Sequence, residues 1–85
     1  MTSTPTYYDL MRSIRTRSRQ TQQQVADRLA TVPSSISKWE NGDAIPDAGK
    51  LAAYLIAVEA TPTEQVAILH GLALQSAQRS GHDHT

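Results

Sequence analysis

The chain contains no cysteine, which removes a disulfide framework, a thiolate nucleophile and every sulfur-ligated zinc site. It has no excess of charge either, because eight Lys and Arg stand against eight Asp and Glu. No apolar run approaches the roughly 20 residues a membrane helix needs. The opening Met-Thr-Ser-Thr-Pro-Thr also lacks the basic-then-apolar pattern of a secretion signal. With 85 residues, one domain is expected. A domain of that size buries only roughly 60–65% of the surface its unfolded chain exposes, so little core is left to wall off a deep catalytic pocket. Histidine is scarce: His70 falls late in the chain, and His82 and His84 sit at its end. No Asp–His–Ser arrangement follows from these positions, and His82-Asp83-His84 is too short and unsupported to read as a metal site. The expectation is a small cytoplasmic module with no membrane association, no cofactor, no metal and no catalysis.

What is present begins with an uneven distribution of charge. Residues 1–40 carry six basic side chains (Arg12, Arg15, Arg17, Arg19, Arg28, Lys38) against three acidic ones (Asp9, Asp27, Glu40). Residues 41–85 carry two basic (Lys50, Arg79) against five acidic (Asp43, Asp47, Glu59, Glu64, Asp83). The first half is therefore suited to meeting a polyanion in a way the whole chain is not.

Punctuation and periodicity both read as helix. Thr6-Tyr7-Tyr8-Asp9, Thr21-Gln22-Gln23-Gln24 and Thr61-Pro62-Thr63-Glu64 fit the reciprocal capping pattern at a helix start. Pro62 and Pro33 suit a first helical position, Asn41-Gly42 suits a left-handed stop, and Asp47 suits a cap. No alternating run rich in valine or aromatics competes for strand. The spacing predicts an all-α chain of five helices near 7–18, 22–29, 33–40, 47–59 and 62–78, with 1–78 as one domain and 79–85 as a disordered tail. Inward stripes are expected at Tyr7, Leu10, Met11 and Ile14; at Val25, Ala26 and Leu29; at Ile36 and Trp39; and at Leu51, Tyr54, Leu55 and Val58.

The informative stretch runs from Gln22 to Gly42. A short helix ends at Leu29, a turn of three to four residues follows, and a second short helix starts at Pro33. Two short helices crossing steeply need a small residue at the contact, supplied by Ala26, and an apolar residue ten positions later, supplied by Ile36. The outward side of the second helix is then Val32, Ser34, Ser37, Lys38 and Asn41. Such a surface is short, polar or cationic, and an α-helix can present it to base edges in a major groove about 12 Å wide.

Residues 10–60 resemble the Cro/phage-repressor (xenobiotic-response-element) type of helix-turn-helix DNA-binding domain. The resemblance rests on Met11-Arg12, Ile14-Arg15, Thr21-Gln22, Val25-Ala26, Leu29, Ser34, Ile36-Ser37-Lys38, Glu40-Asn41-Gly42, Pro46 and Leu51. It implies a compact five-helix fold with the motif at 22–42 in helices two and three. It also implies base contacts from Val32, Pro33, Ser34, Ser37 and Lys38, and phosphate contacts from Thr21, Gln22 and Asn41, with Arg12, Arg17 and Arg19 as further candidates. Each has a plainer alternative. Gln22 also serves as a helix-start residue, Asn41-Gly42 as an ordinary helix stop, Val32 as a cover for the turn, and the arginines as a solvated helix face. Arg15 and Glu40 would pair, mainly as a structural bridge. Many relatives carry glycine where this chain has Ala30, so the turn is expected either to hold a costly left-handed residue or to be reshaped.

The resemblance further implies a small repressor of phage or mobile-element type, acting as a homodimer on a palindromic operator in double-stranded DNA. The alternative is an antitoxin or adaptor of the same fold whose main partner is another protein. Helix 62–78 carries more apolar surface than one-sided packing uses. Val66, Leu69 and Ala73 form one stripe, assigned to the domain's own core. Ile68 and Leu72 form the second, assigned to a dimer interface; the alternative is that both stripes wrap a small monomeric core. Gly71 between them is expected to mark the close approach of another backbone.

Overall fold

The computed structural model describes residues 6–82, with side chains described through residue 75. Five helices follow one another: α1 Tyr7–Arg17, α2 Gln22–Arg28, α3 Pro33–Asn41, α4 Ala48–Ala57 and α5 Pro62–His82. No strand occurs among the described residues. All three capping boxes form. The Thr6, Thr21 and Thr61 hydroxyls accept from the amides three residues on, at 3.2, 3.1 and 3.2 Å. The side chains of Asp9, Gln24 and Glu64 accept in return from the cap amides, at 3.3, 2.8 and 2.8 Å. Asp47 caps α4 through the Lys50 amide at 2.8 Å, and Pro33 opens α3 with no side-chain cap.

The first four helices all close by one device. A residue in the left-handed region follows the last turn: Arg19 (φ 61°), Ala30 (φ 54°), Gly42 (φ 81°) and Glu59 (φ 57°). The next amide then reaches back to an orphan carbonyl: Gln20 to Arg15 (3.4 Å), Thr31 to Ala26 (2.9 Å), Asp43 to Lys38 (2.9 Å) and Ala60 to Leu55 (3.0 Å). Glycine fills only one of the four places, and there a side chain would collide with the Tyr8 ring at 2.8 Å. The turn at Ala30 is therefore not reshaped. It keeps its left-handed residue at the cost that L-amino acids bear there. The same closure explains why α4 ends at Ala57, short of the expected 59.

The expected stripes converge on one core. Tyr7, Met11, Ile14, Val25, Ala26, Leu29, Ile36, Trp39, Leu51, Tyr54, Leu55 and Val58 are all buried, and Leu10 packs against them half-buried. Trp39 and Tyr54 meet edge to face, with centroids 6.4 Å apart and planes at 75°.

Helix α5 reverses the expected assignment of its two stripes. Ile68 is fully buried in the chain's own core and Leu72 packs against it, whereas Val66 is 66% and Leu69 52% exposed, and Ala73 is exposed as well. The physical reason is α1. A methyl at Gly71 would lie 2.9 Å from the Tyr7 Cβ and 3.6 Å from its Cα. The backbone that approaches Gly71 thus belongs to α1 of the same chain, and residues 68 and 72 flank that contact. Ile68 is consequently not available as an interface residue. The helix also runs to His82, past the expected end at 78. Residues 83–85, where the rest of the expected tail falls, lie outside the described residues.

Two exchanges of opposite sign test this geometry by thermal unfolding. Ala30→Gly relieves a left-handed alanine, a gain of about 1–2 kcal/mol partly offset by the freer unfolded chain, so the melting temperature should rise by a few degrees. Gly71→Ala gains about 1 kcal/mol of helix propensity, yet its methyl meets the Tyr7 Cβ, so the melting temperature should fall.

Candidate nucleic-acid interface

The crossing of α2 on α3 turns on Ala26 and Ile36, both fully buried, as the ten-residue spacing requires. Burying that side of α3 sets the remainder outward. Val32 is 55% exposed, Ser34, Lys38 and Asn41 are exposed, and Pro33 and Ser37 are half-buried. Asn41 lies along this surface, its Nδ2 donating to the Ser37 Oγ at 3.3 Å. Thr21 and Gln22 stand at the start of α2, Thr21 exposed and Gln22 half-buried.

A buried carboxylate fixes where α3 sits. Glu40 is 1% exposed, and both its oxygens are engaged. Arg15 on α1 donates through Nε to Oε2 at 2.7 Å and through Nη2 to Oε1 at 3.0 Å. The Tyr54 hydroxyl of α4 donates to Oε2 at 2.6 Å, and the Gln22 Nε2 of α2 donates to Oε1 at 3.2 Å. Arg15 keeps its remaining Nη1 for the Gln20 carbonyl at 2.7 Å. Burial alone would disfavour ionisation of Glu40, but the hydrogen bonds from Arg15, Tyr54 and Gln22 outweigh it and hold the carboxyl below its usual pKa. Hydrogen bonding to Glu40 pushes Arg15 up in turn, and burial together with the adjacent carboxylate pushes the Tyr54 phenol up.

The pair Arg15–Glu40 was legible in the sequence. The parts of Gln22 and Tyr54 in it were not, since Gln22 read as a phosphate ligand and Tyr54 as plain core. One signal was available: a tyrosine at a fully buried position needs a partner for its hydroxyl, and Glu40 was the buried acceptor at hand.

The other basic groups sort by partner. Arg12 pairs with Asp9 at 3.0 Å on the exposed side of α1. Arg17, a candidate phosphate ligand by sequence, instead grips both oxygens of Glu64 on α5. That grip holds the Glu64 carboxyl down at about 2. Arg19 follows α1 in its left-handed position, exposed. Among the described residues Arg19 and Lys38 have no carboxylate within 4 Å, so of the expected DNA contacts they are the two basic groups with no acidic partner there.

Removing one member of the Arg15–Glu40 pair strands the other, which in a buried pair costs about 3–5 kcal/mol. Arg15→Ala should thus lower the melting temperature steeply, and adding Glu40→Ala should return part of the loss rather than doubling it. The pH dependence follows from the lowered Glu40 pKa. Its contribution is complete above the unfolded carboxylate value of about 4.3 and is lost as pH falls below that toward the folded value. The stability difference between wild type and Glu40→Gln, followed by urea unfolding, should be constant from pH 7 to 5 and shrink below pH 4.

A helix-turn-helix domain family model matches residues 9–68, from α1 into α5. Comparison with curated proteins and with solved structures returns no match. The family match takes in α1 from Asp9, the whole of α2, α3 and α4, and so the outward face of α3, in agreement with the Cro/repressor resemblance of residues 10–60. The chain belongs to the helix-turn-helix domain family, and its motif points to a DNA-binding regulator.

Proposed function

We propose that the protein is a sequence-specific repressor that binds a palindromic operator in double-stranded DNA as a homodimer. The observation that carries this reading is the outward face of α3, where Val32, Ser34, Lys38 and Asn41 are exposed with no carboxylate among them. Lys38 donates to guanine O6 or N7 in the major groove, Ser34 and Ser37 offer hydroxyls, and Val32 and Pro33 give apolar contact of the kind a thymine methyl accepts. Thr21, Gln22, Asn41, Arg12 and Arg19 contact phosphate. Net neutrality is compatible with this role because charge is unevenly placed: the outward face of α3 carries Lys38 and no carboxylate, and among the described residues Lys38 has no carboxylate within 4 Å. The reading assigns no catalysis, metal or cofactor to the chain.

Support for the dimer lies along α4 and α5. Of the exposed large apolar side chains among the described residues, Val32 stands at the start of α3 as its N-cap, while Ile45, Ile56, Val66, Leu69 and Leu74 lie on α4, α5 and the loop before α4. A groove of about 450 Å³ between α4 and α5 is lined by residues such as Leu51, Leu55, Ile56, Leu69 and Leu72, with no charged side chain in it. A second copy suits this seat. Its own uncharged face brings no like charge, and two copies place two reading helices on half-sites about 34 Å apart. The exposed residues Ile56, Val66 and Leu69 take the role that Ile68 cannot.

Selection of duplexes from random DNA by the purified protein tests the reading. A palindromic consensus is expected, with affinity falling steeply as salt rises. Lys38→Ala should cost about 1–3 kcal/mol on that site and flatten its preference among variants. Enrichment of no sequence would overturn the reading, and capture of a protein by α3 in place of DNA would favour the adaptor. Leu69→Asp should leave the fold intact but give a monomer by light scattering that protects the selected site weakly. A wild type that stays monomeric both free and on DNA would overturn the dimer.

A further inference from the structure

Tyr54 lies on α4, outside the motif, yet its hydroxyl ends in the same carboxylate that holds Gln22. The path is short and complete. Tyr54 donates to Glu40 Oε2 at 2.6 Å, with the Met11 carbonyl oxygen 2.9 Å from the same hydroxyl. Arg15 spans both carboxylate oxygens from α1, and the Gln22 Nε2 takes the remaining position on Oε1 at 3.2 Å. Tyr54 is fully buried and Glu40 nearly so, whereas Gln22 is the member of the network that carries an amide to the surface from within the motif.

An amide held by one N–H to a buried, immobile carboxylate has little rotamer freedom left. Its second N–H and its carbonyl oxygen remain for an outside partner. Ordering a glutamine side chain on binding costs rotamer entropy, and pre-ordering it before binding removes part of that cost. Glu40 can do this only while its own orientation is fixed. On the Oε2 side that fixing falls to Arg15 and to the Tyr54 hydroxyl. The neighbouring Gln23 offers the contrast: it is exposed and its Nε2 bonds only to Asp27, on its own helix, at 2.8 Å.

We propose that Tyr54 is a positioning residue for DNA binding: through Glu40 it pre-orders the Gln22 amide for its phosphate contact, so that α4 sets part of the affinity of α2. This rests on the DNA-binding reading above. Tyr54 itself touches no DNA. Its effect passes wholly through Gln22, which separates it from a merely structural hydroxyl.

The experiment is a double-mutant cycle of Tyr54→Phe and Gln22→Ala, read as affinity for a 30-base-pair duplex selected by the wild-type protein from random DNA. Tyr54→Phe should weaken binding about 3- to 10-fold, the range of one net hydrogen bond, when Gln22 is present. The same exchange should change affinity less than about 2-fold in the Gln22→Ala background. Equal losses in both backgrounds, or none in either, overturn the proposal while leaving the DNA reading intact. Absence of binding to any duplex by the wild type overturns the DNA reading and this one with it. Side-chain amide relaxation by NMR reads the same claim without DNA and without dependence on the variant's stability. In the free wild-type protein the Gln22 NH2 group should be markedly more ordered than that of Gln23, and Tyr54→Phe should loosen Gln22 alone. A wild-type Gln22 as mobile as Gln23 overturns the proposal even if Tyr54→Phe does not fold.

Discussion

A single ionised carboxylate, sealed inside a small helical core, is the constraint on which the rest of the molecule depends. Glu40 collects hydrogen bonds from α1, α2 and α4 while standing on α3. Each bond satisfies a lone pair that would otherwise be stranded in a poorly polarisable interior, and each also fixes one helix relative to another. Apolar packing alone leaves helices free to slide by small amounts, whereas a fork of directional bonds does not. A buried pair is weak support for net stability. Its value here is in register, because the helix that carries Glu40 is also the one whose outer face is polar and exposed.

Economy of residues follows from that arrangement. Along α3 the inner positions Ile36, Trp39 and Glu40 are buried, and the outer ones Ser34, Lys38 and Asn41 are exposed. One side of the helix is spent on holding position and the other on contact. The same division governs charge. Arginines on α1 are taken up by Asp9, Glu40 and Glu64, so their number overstates what is offered to a polyanion. Among the expected DNA contacts, Arg19 at the entry to the motif and Lys38 on its outer face are the basic groups with no carboxylate within 4 Å among the described residues. A chain with no net charge can thus present a locally cationic surface.

Much of this was readable before any coordinates, because capping and periodicity are local. Thr6, Thr21 and Thr61 announced three helix starts by chemistry that acts over three residues, and the inward stripes of α1 to α4 followed from the helical repeat. Apart from helix ends such as those of α4 and α5, the failures are non-local. The α5 stripes were interchanged because periodicity shows that a helix has two apolar sides without showing which neighbour each meets. Gly71 was correctly read as a place of close approach, but the approaching backbone proved to be α1. Arg17 looked free because its partner Glu64 is 47 residues away. Tyr54 and Gln22 were placed correctly as elements, and only the fold brings their polar ends to one carboxylate.

The central claim is that the face of α3 held outward by Glu40 is the one that meets DNA. Backbone and side-chain chemical shifts of the labelled protein, followed as a selected operator duplex is added, test it most directly. The account predicts that the largest changes fall on Val32, Ser34, Ser37, Lys38 and Asn41, with Thr21, Gln22 and Arg19 beside them, and that they exceed any change at Leu51, Leu55 and Ala52 in the α4–α5 groove. Changes centred on that groove, with α3 unmoved, would contradict it.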